Sequence, residues 1–253
     1  MTEGYVLIGI GEKYLKMVEL FADTLRHHGD NRDIYVISDT TDEPLFGECK
    51  TEFEKYGTLP KITLNKNLPF DHNIFLDADM LCIGNTEHVW DTVKSRDSFI
   101  SQLGVPDDFK HYGGRLATTA KDLGWQSIPP RVQGGFIYLR KEGLNEEFFD
   151  WMQNDGFVNY GDYCEPGTFR GASRTDQVLY SLAHAKYGLS PIDMRENAFM
   201  TFLDSCDTGS VPTNVVWFKS KPYPQDNKVA FCHCMAKPGH PLYDRLYNES
   251  LAS

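Results

Sequence analysis

The chain is short of several things, and each shortage removes a class of answer. No uncharged apolar run is long enough to cross a bilayer as a helix, so no integral membrane segment is expected. The opening residues, Met1-Thr2-Glu3-Gly4, lack the basic stretch of a secretion signal. Positive charge is scarce: 25 Lys and Arg stand against 36 Asp and Glu, for a net charge of −11. That balance disfavours nucleic acid and anionic membrane surfaces as partners. Any anionic ligand then needs a metal or individually placed lysines. Six cysteines among 253 residues are too few for a disulfide scaffold. Cys82 and Cys232 lie in apolar runs, which points to reduced thiols and a cytoplasmic setting. Cys232-His233-Cys234 lacks the wider cysteine spacing of a closed structural zinc site. Internal repeats, low-complexity tracts and a Pro/Ser-rich linker are also missing, so one continuous domain over residues 1–253 is expected.

What is present begins with alternating elements. Tyr5 to Ile10 form a short apolar run ending at Gly11. Tyr14, Met17, Val18, Phe21, Ala22 and Leu25 then recur at helical spacing, and Gly29-Asp30-Asn31 ends the pattern. Asp33 to Ile37 reads as a second strand. A strand-helix-strand opening favours a parallel sheet. Further strands are expected at Ile74–Leu76, Phe99–Ile100, Phe136–Leu139 and Val229–Cys232, with helices at Phe148–Met152 and Asp176–Lys186. The stretches 104–130 and 154–172 read as loops.

Asp77-Ala78-Asp79 carries the most chemical information. It closes the run Ile74-Phe75-Leu76 and is followed at once by Met80-Leu81. Two carboxylates one residue apart at a strand end can reach one divalent cation from the same side. The open side of that cation can take diphosphate oxygens, since Mg2+ and Mn2+ prefer hard oxygen ligands. Asp-x-Asp by itself also fits a solvated turn. The preceding strand favours the metal reading, because ligands of open α/β sheets bind outside the carboxyl ends of strands.

Other candidates are individually weaker. Gly9-Ile10-Gly11-Glu12 resembles half of a dinucleotide fingerprint, but Tyr14 stands where the third glycine would be. The glycines can admit a ligand close to the backbone, and Tyr14 would then lie where a nucleobase could stack. Lys61 precedes the Asp-Ala-Asp strand and, taken alone, fits an ordinary solvated surface lysine better than a site residue. Gln133-Gly134-Gly135 leads into a strand and permits close approach of a ligand. Asp176-Gln177 opens a helix, where Asp176 can serve as a cap or, in a cleft, face sugar hydroxyls. His233 ends the late strand, and Lys237 follows four residues on, within reach of a phosphate as a point charge.

In this order the pieces resemble the GT-A glycosyltransferases, most closely the group of glycogenin and the bacterial lipopolysaccharide galactosyltransferases (glycosyltransferase family 8). Lys61 lies sixteen residues before Asp77, as in glycogenin-like sequences. The resemblance implies an α/β architecture, a Rossmann-like mixed central sheet flanked by helices. It divides the domain into a nucleotide-binding lobe at about 1–103 and an acceptor and donor-sugar lobe at about 104–253. It implies that Asp77, Asp79 and His233 hold Mn2+ or Mg2+, the imidazole tilting the choice toward Mn2+. Tyr14 would stack on the base, uracil by analogy, with Gly9, Gly11 or Glu12 near its edge. Ala78 and Asp79 would approach the ribose. Lys61, Gln133, Gly134, Asp176 and Gln177 would surround the donor sugar, and Lys237 would assist at the phosphates.

Departures from the family pattern are plain. The usual Asn-Ala-Gly or Asn-Ser-Gly is Gln133-Gly134-Gly135, and the late His-Tyr-x-Gly-x-x-Lys-Pro-Trp pattern is reduced to His233-Cys234-Met235-Ala236-Lys237-Pro238-Gly239. The first turn has Glu12 in place of an aspartate. The implied activity is metal-dependent transfer of a sugar from a nucleotide-sugar, a UDP-sugar, to an acceptor hydroxyl with retention. Catalysis would fall to Asp176, Gln177 and Lys237. A sugar nucleotidyltransferase would share sheet and metal but needs a longer, basic glycine-rich loop. A non-catalytic nucleotide- or carbohydrate-binding protein is the remaining alternative.

Overall fold

Residues 1–38, 59–66, 68–96, 98–102, 120–125, 129–130, 132–142, 146–156, 176–193, 199–203, 217–218, 221–222, 229–234, 238–239 and 241–252 are described in the computed structural model of the chain. The first strand, β1 (Glu3–Gly9), leads through Gly11 into helix α1 (Glu12–His27) and then strand β2 (Asp33–Ser38). β1 and β2 pair in parallel, as the strand-helix-strand opening requires. β3 (His72–Leu76) lies parallel on the other side of β1. Beyond β3 the sheet changes sense: β6 (Val132–Arg140) runs antiparallel to β3, and β5 (Ser98–Gln102) antiparallel to β6. With the two-residue β7 (Ile192–Asp193) the order is β2-β1-β3-β6-β5-β7, a mixed sheet.

A three-stranded sheet stands beside it. β4 (Met80–Cys82) pairs antiparallel with β11 (Phe231–Cys234), and β11 pairs in parallel with β8 (Met200–Leu203). A separate ribbon joins β9 (Trp217–Phe218) to β10 (Lys221–Pro222). The late strand thus begins later than its sequence pattern implies, and His233 lies inside it rather than beyond its end.

Both faces of the main sheet are covered, which is why its strands read as continuous apolar runs rather than as alternation. Successive residues still divide between the two faces. Val6, Phe75, Ile137 and Leu139 join one core, together with Val178, Leu179, Leu182 and Ala183 of helix α4 (Asp176–Tyr187). Tyr5, Leu7, Ile74, Leu76, Phe136 and Tyr138 join the other, with Met17, Phe21 and Leu25 of α1 and Trp90 of helix α2 (Glu87–Val93). Leu81, Cys232 and Cys234 of the small sheet pack with Tyr243 and Leu246 of the last helix, α5 (Pro241–Ser250). Thr24 ties α1 to the small sheet: its hydroxyl accepts the Cys82 N–H at 3.0 Å and donates to the Phe21 carbonyl at 2.9 Å.

Two elements are irregular. Leu59–Lys66 forms a 3-10 helix of eight residues, longer than such turns usually run without outside support. Helix α3 (Glu146–Trp151) continues into a π-helical turn, Met152–Gly156, in a stretch whose composition reads as loop. The two meet where Gln153 Nε2 donates to the Ile62 carbonyl at 3.0 Å and to Asn65 Oδ1 at 3.1 Å. Most of 104–130 and all of 157–172 lie outside the described residues.

One buried histidine makes stability acid-sensitive. His184 in α4 is buried against the Phe148 ring, and its Nδ1 lies 2.8 Å from the Tyr180 carbonyl, to which it donates. Burial pulls its imidazole down to about 4. The unfolded chain takes up that proton near its ordinary value of roughly 6.5, so stability present above this pH is lost as pH falls toward 4. Urea unfolding at pH 7 and pH 5 should show about 2 kcal/mol less stability at the lower pH from this group. His184→Leu should abolish that part of the difference.

Candidate active site

The turn Asp77–Met80 carries the chain from β3 in the main sheet to β4 in the small one. Its closing bond runs from Met80 N–H to the Asp77 carbonyl at 3.0 Å. The Asp77 N–H donates to the Gly135 carbonyl at 3.1 Å, and the Asp79 carbonyl accepts the Cys234 N–H at 2.8 Å. One end of the Asp-Ala-Asp motif is therefore fixed to β6 and the other to β11. Ala78 turns its methyl into the core. The carboxylates remain partly open, with side-chain exposures of 17% for Asp77 and 30% for Asp79.

His233 faces both. Its Nε2 lies 3.1 Å from Asp79 Oδ1 and 3.6 Å from Asp77 Oδ2. One ligand atom from each of Asp77, Asp79 and His233 lies within 4.8 Å of the others, a spacing that could hold one ion. The register of β11 against β4, with His233 opposite Met80, delivers the imidazole there. Room for it comes from Gly135: a Cβ at that position would stand 3.1 Å from Asp77 Oδ2 and 3.2 Å from His233 Cε1.

A second cluster adjoins the first. Lys61 is buried, with its Nζ 2.6 Å from Asp77 Oδ1, 3.6 Å from Asp176 Oδ2 and 3.4 Å from the Gly134 carbonyl. Asp77 therefore presents one oxygen to the ammonium and the other to the histidine. The 3-10 helix carrying Lys61 is braced from α4, where Tyr180 OH donates to the Lys61 carbonyl at 2.7 Å. Gly134 permits the closeness of β6 and α4, since a Cβ there would meet Asp176 Oδ2 at 2.5 Å. Asp176 Oδ2 and Gln177 Oε1 are buried and accept no hydrogen bond among the described residues. Two such acceptors side by side suit a ligand rich in hydroxyl groups.

The electrostatics follow from this crowding. Burial works against the Lys61 ammonium, but Asp176 and Asp77 outweigh it and hold the group charged above its usual range. Burial likewise opposes the His233 imidazolium, while Asp79 and then Asp77 raise it. Asp79 ends below the ordinary carboxylate range, because His233 overcomes its burial. Asp77 is pushed up, burial and the Asp79 charge prevailing over Lys61 and His233.

The glycine-containing first turn leaves the same edge of the sheet, since β1 and β3 are parallel neighbours with Leu7 opposite Leu76. Gly9 is accounted for by packing alone: a Cβ there would press on Leu15 at 3.1 Å and Val18 at 3.3 Å. Gly11 has φ +79°, so its backbone favours glycine, and among the described residues no atom lies within 4 Å of a would-be Cβ. Glu12 opens α1, and Tyr14, in the first helical turn, is 42% exposed, an unusual state for a large aromatic ring. Lys237 lies outside the described residues. Sequence reasoning named Gly135 as a glycine that admits close approach, but passed over Tyr180, which reaches the Lys61 carbonyl from 119 positions away, and Gln153, which holds Ile62 and Asn65 of the same 3-10 helix. No local signal joins residues so far apart.

Neither a protein-family model nor a curated protein matches the sequence. Solved structures do match in shape. The galactosyltransferase LgtC, in complex with donor and acceptor sugar analogues, superposes with a TM-score of 0.60 at 13% identity, over 99% of this chain and 95% of that one. Mouse xyloside xylosyltransferase 1 in its apo form gives 0.58 at 10% identity, over 95% and 99%. The bifunctional glycosyltransferase WbbM gives 0.63 at 12% identity, over the whole of this chain and 50% of that one. The chain has the GT-A fold, a Rossmann-like mixed sheet with flanking helices.

Proposed function

We propose that the chain is a metal-dependent glycosyltransferase that moves a sugar from a UDP-sugar to an acceptor hydroxyl with retention of anomeric configuration. The observation that carries this reading is the adjacency of two clusters: Asp77, Asp79 and His233 in ion-binding spacing, and beside them the buried acceptors of Asp176 and Gln177, which receive no hydrogen bond among the described residues. The fold is the one on which glycosyltransferases such as LgtC are built.

The donor set fits a divalent ion. Two carboxylates and an imidazole converge, Gly135 leaves them room, and the mixed O and N ligands favour Mn2+ over Mg2+. When bound, such an ion supplies Lewis-acid neutralisation of charge on the leaving diphosphate. The chain's own residues do the rest. Tyr14 offers an exposed ring for the base beside the open backbone at Gly11 and Glu12. Asp176 Oδ2 and Gln177 Oε1 accept from sugar hydroxyls, and Lys61 keeps the pocket's charge balanced while holding Asp77 in place. By the family resemblance, Lys237 would assist at the phosphates. The anomeric C–O bond to the diphosphate breaks through an oxocarbenium-like state. The acceptor oxygen then bonds that carbon on the same face, and its proton passes to the departing phosphate oxygen. Asp176 and Gln177 position and stabilise rather than attack. The free, buried thiols of Cys82, Cys232 and Cys234 suit a reducing compartment such as the cytoplasm.

Calorimetric titration of UDP with Mn2+ present, with chelator, and with Asp77→Asn tests the reading. Binding should need the ion and should weaken at least tenfold in the variant. Turnover of a UDP-sugar without any triphosphate separates a glycosyltransferase from a nucleotidyltransferase. A folded protein that ignores UDP, or binds it regardless of both ion and Asp77, would sink the assignment.

A further inference from the structure

Gln133 occupies an unusual place in this arrangement. It is the second residue of β6, buried, at the wall between the ion-binding cluster and the pocket of Asp176 and Gln177. Its side chain folds back on its own strand, with Oε1 accepting the Gly135 N–H at 2.6 Å. From that fixed position the amide reaches both ways. Nε2 lies 3.5 Å from His233 Nδ1, the ring nitrogen turned away from the carboxylates. Oε1 lies 3.4 Å from Gln177 Nε2, which donates to it. Both outer contacts are long for hydrogen bonds, while the inner one to Gly135 is short.

We propose that Gln133 is a positioning residue that couples ion binding at His233 to the orientation of Gln177, rather than a group that merely lines the sugar pocket. This rests on the metal-dependent reading above. A histidine that ligates through one ring nitrogen is aimed by what holds the other. The Gln133 amide holds the Nδ1 side of His233, so it sets the direction of Nε2. The same amide, through Oε1, sets the rotamer of Gln177 and hence where the buried Gln177 Oε1 points. Lys61 also touches both clusters, but as a charge through Asp77 and Asp176. Gln133 is the neutral, directional link. The chain reaches across with a glutamine, one methylene longer than the asparagine of the resembling sequences, and the extra length is what brings its amide to both partners.

The test uses the full chain without nucleotide and reads Mn2+ affinity by calorimetry. Gln133→Met keeps the volume and removes the amide, and should weaken Mn2+ by about tenfold, the lower end for partners of metal-bound histidines. Gln177→Met, which touches no ligand atom of the ion cluster, should weaken Mn2+ by about threefold through Gln133, by the reciprocity of linked sites. Added to Gln133→Met, it should have no further effect. Such non-additivity is the signature of coupling, which loss of packing alone would not produce. If Gln133→Met fails to fold, Gln133→Asn, too short for both contacts, carries the same comparison. Mn2+ affinity unchanged in the Gln133 variant, or two effects that simply multiply, would overturn the coupling. Asp79→Asn keeps the two claims apart. If it abolishes Mn2+ binding while the Gln133 variants bind normally, the ion site stands and only the coupling falls. If the unaltered chain binds no Mn2+, both fall.

Discussion

Asp79→Asn is expected to cut turnover of the donor by about three orders of magnitude while leaving the fold intact. The Asp79 side chain is the more open of the two carboxylates, at 30% exposure, and its main partner is His233 at 3.1 Å. Removing its charge takes away part of the ion's coordination and one counter-charge to the imidazole, and loss of such preorganised electrostatics at a leaving group costs about 4 kcal/mol of transition-state stabilisation. The packing cost is small, because the turn is held through the backbone, by Asp77 N–H on Gly135 and Cys234 N–H on the Asp79 carbonyl. Thermal unfolding without metal should therefore stay within about 3 °C of the unaltered chain, about 1 kcal/mol at this size. Without the Asp79 carboxylate the His233 imidazole should also titrate lower, since Asp79 is the main group raising it. NMR titration of the ring reads this directly. Unchanged turnover would remove the ion cluster from the chemistry.

The parts of this site that could be read from the sequence were those written locally. Asp77 and Asp79 announce themselves because an apolar strand runs straight into two carboxylates, and strand β3 does end at Leu76. Asp176 at a helix start and His233 near a strand end are legible for the same reason: apolar periodicity shows where an element begins and stops. Most of the α1 stripe was equally clear: Met17, Val18, Phe21 and Leu25 face the core, whereas Ala22 is half-buried and Tyr14 is exposed. That Lys61 and Asp176 come within 3.6 Å was not legible, because the approach depends on how the 3-10 helix and α4 meet across the sheet.

The fold was less complete on the page where elements are short or polar. β4 has three residues, too few to show a period, and it exists because β11 pairs with it. α5 contains Asp244, Arg245, Asn248 and Glu249 and is defined by burial of Tyr243 and Leu246 on the small sheet, not by a long apolar stripe. The 3-10 helix at Leu59–Lys66 contains Pro60, which argues against regular helix, and survives on hydrogen bonds from Tyr180 and Gln153. Even the parallel opening was a partial guide: β6 alone enters with the opposite sense, antiparallel to both β3 and β5, and that reversal places Gly134 and Gly135 beside the Asp77 turn.

Lys61→Met should be the most destabilising single change at the site, and its effect should shrink as pH falls. The substitution keeps the chain length but leaves Asp77 and Asp176 buried without the ammonium that stands 2.6 Å and 3.6 Å away. Breaking a buried pair from one side costs about 3 to 5 kcal/mol, which is on the order of 10 °C in unfolding temperature for a chain of this size. Asp77 is already pushed up by burial, with Lys61 opposing the rise. In the variant that opposition is gone and the carboxyl rises further. A carboxyl whose folded value exceeds its unfolded one binds its proton more readily when folded, so acidification from neutral pH restores stability and alkalinity removes it. The deficit should therefore be largest at pH 7 to 8 and shrink toward pH 5. Mn2+ should do at neutral pH what protons do at low pH, because an ion held by Asp77, Asp79 and His233 would supply the missing positive charge. Its stabilising shift should exceed that seen in the unaltered chain. Turnover should stay low even when Mn2+ has restored the fold, since a cation in that cluster cannot hold Asp176. A variant as stable as the unaltered chain at pH 7 without metal would mean that the Lys61 ammonium is not what keeps these two carboxylates buried together.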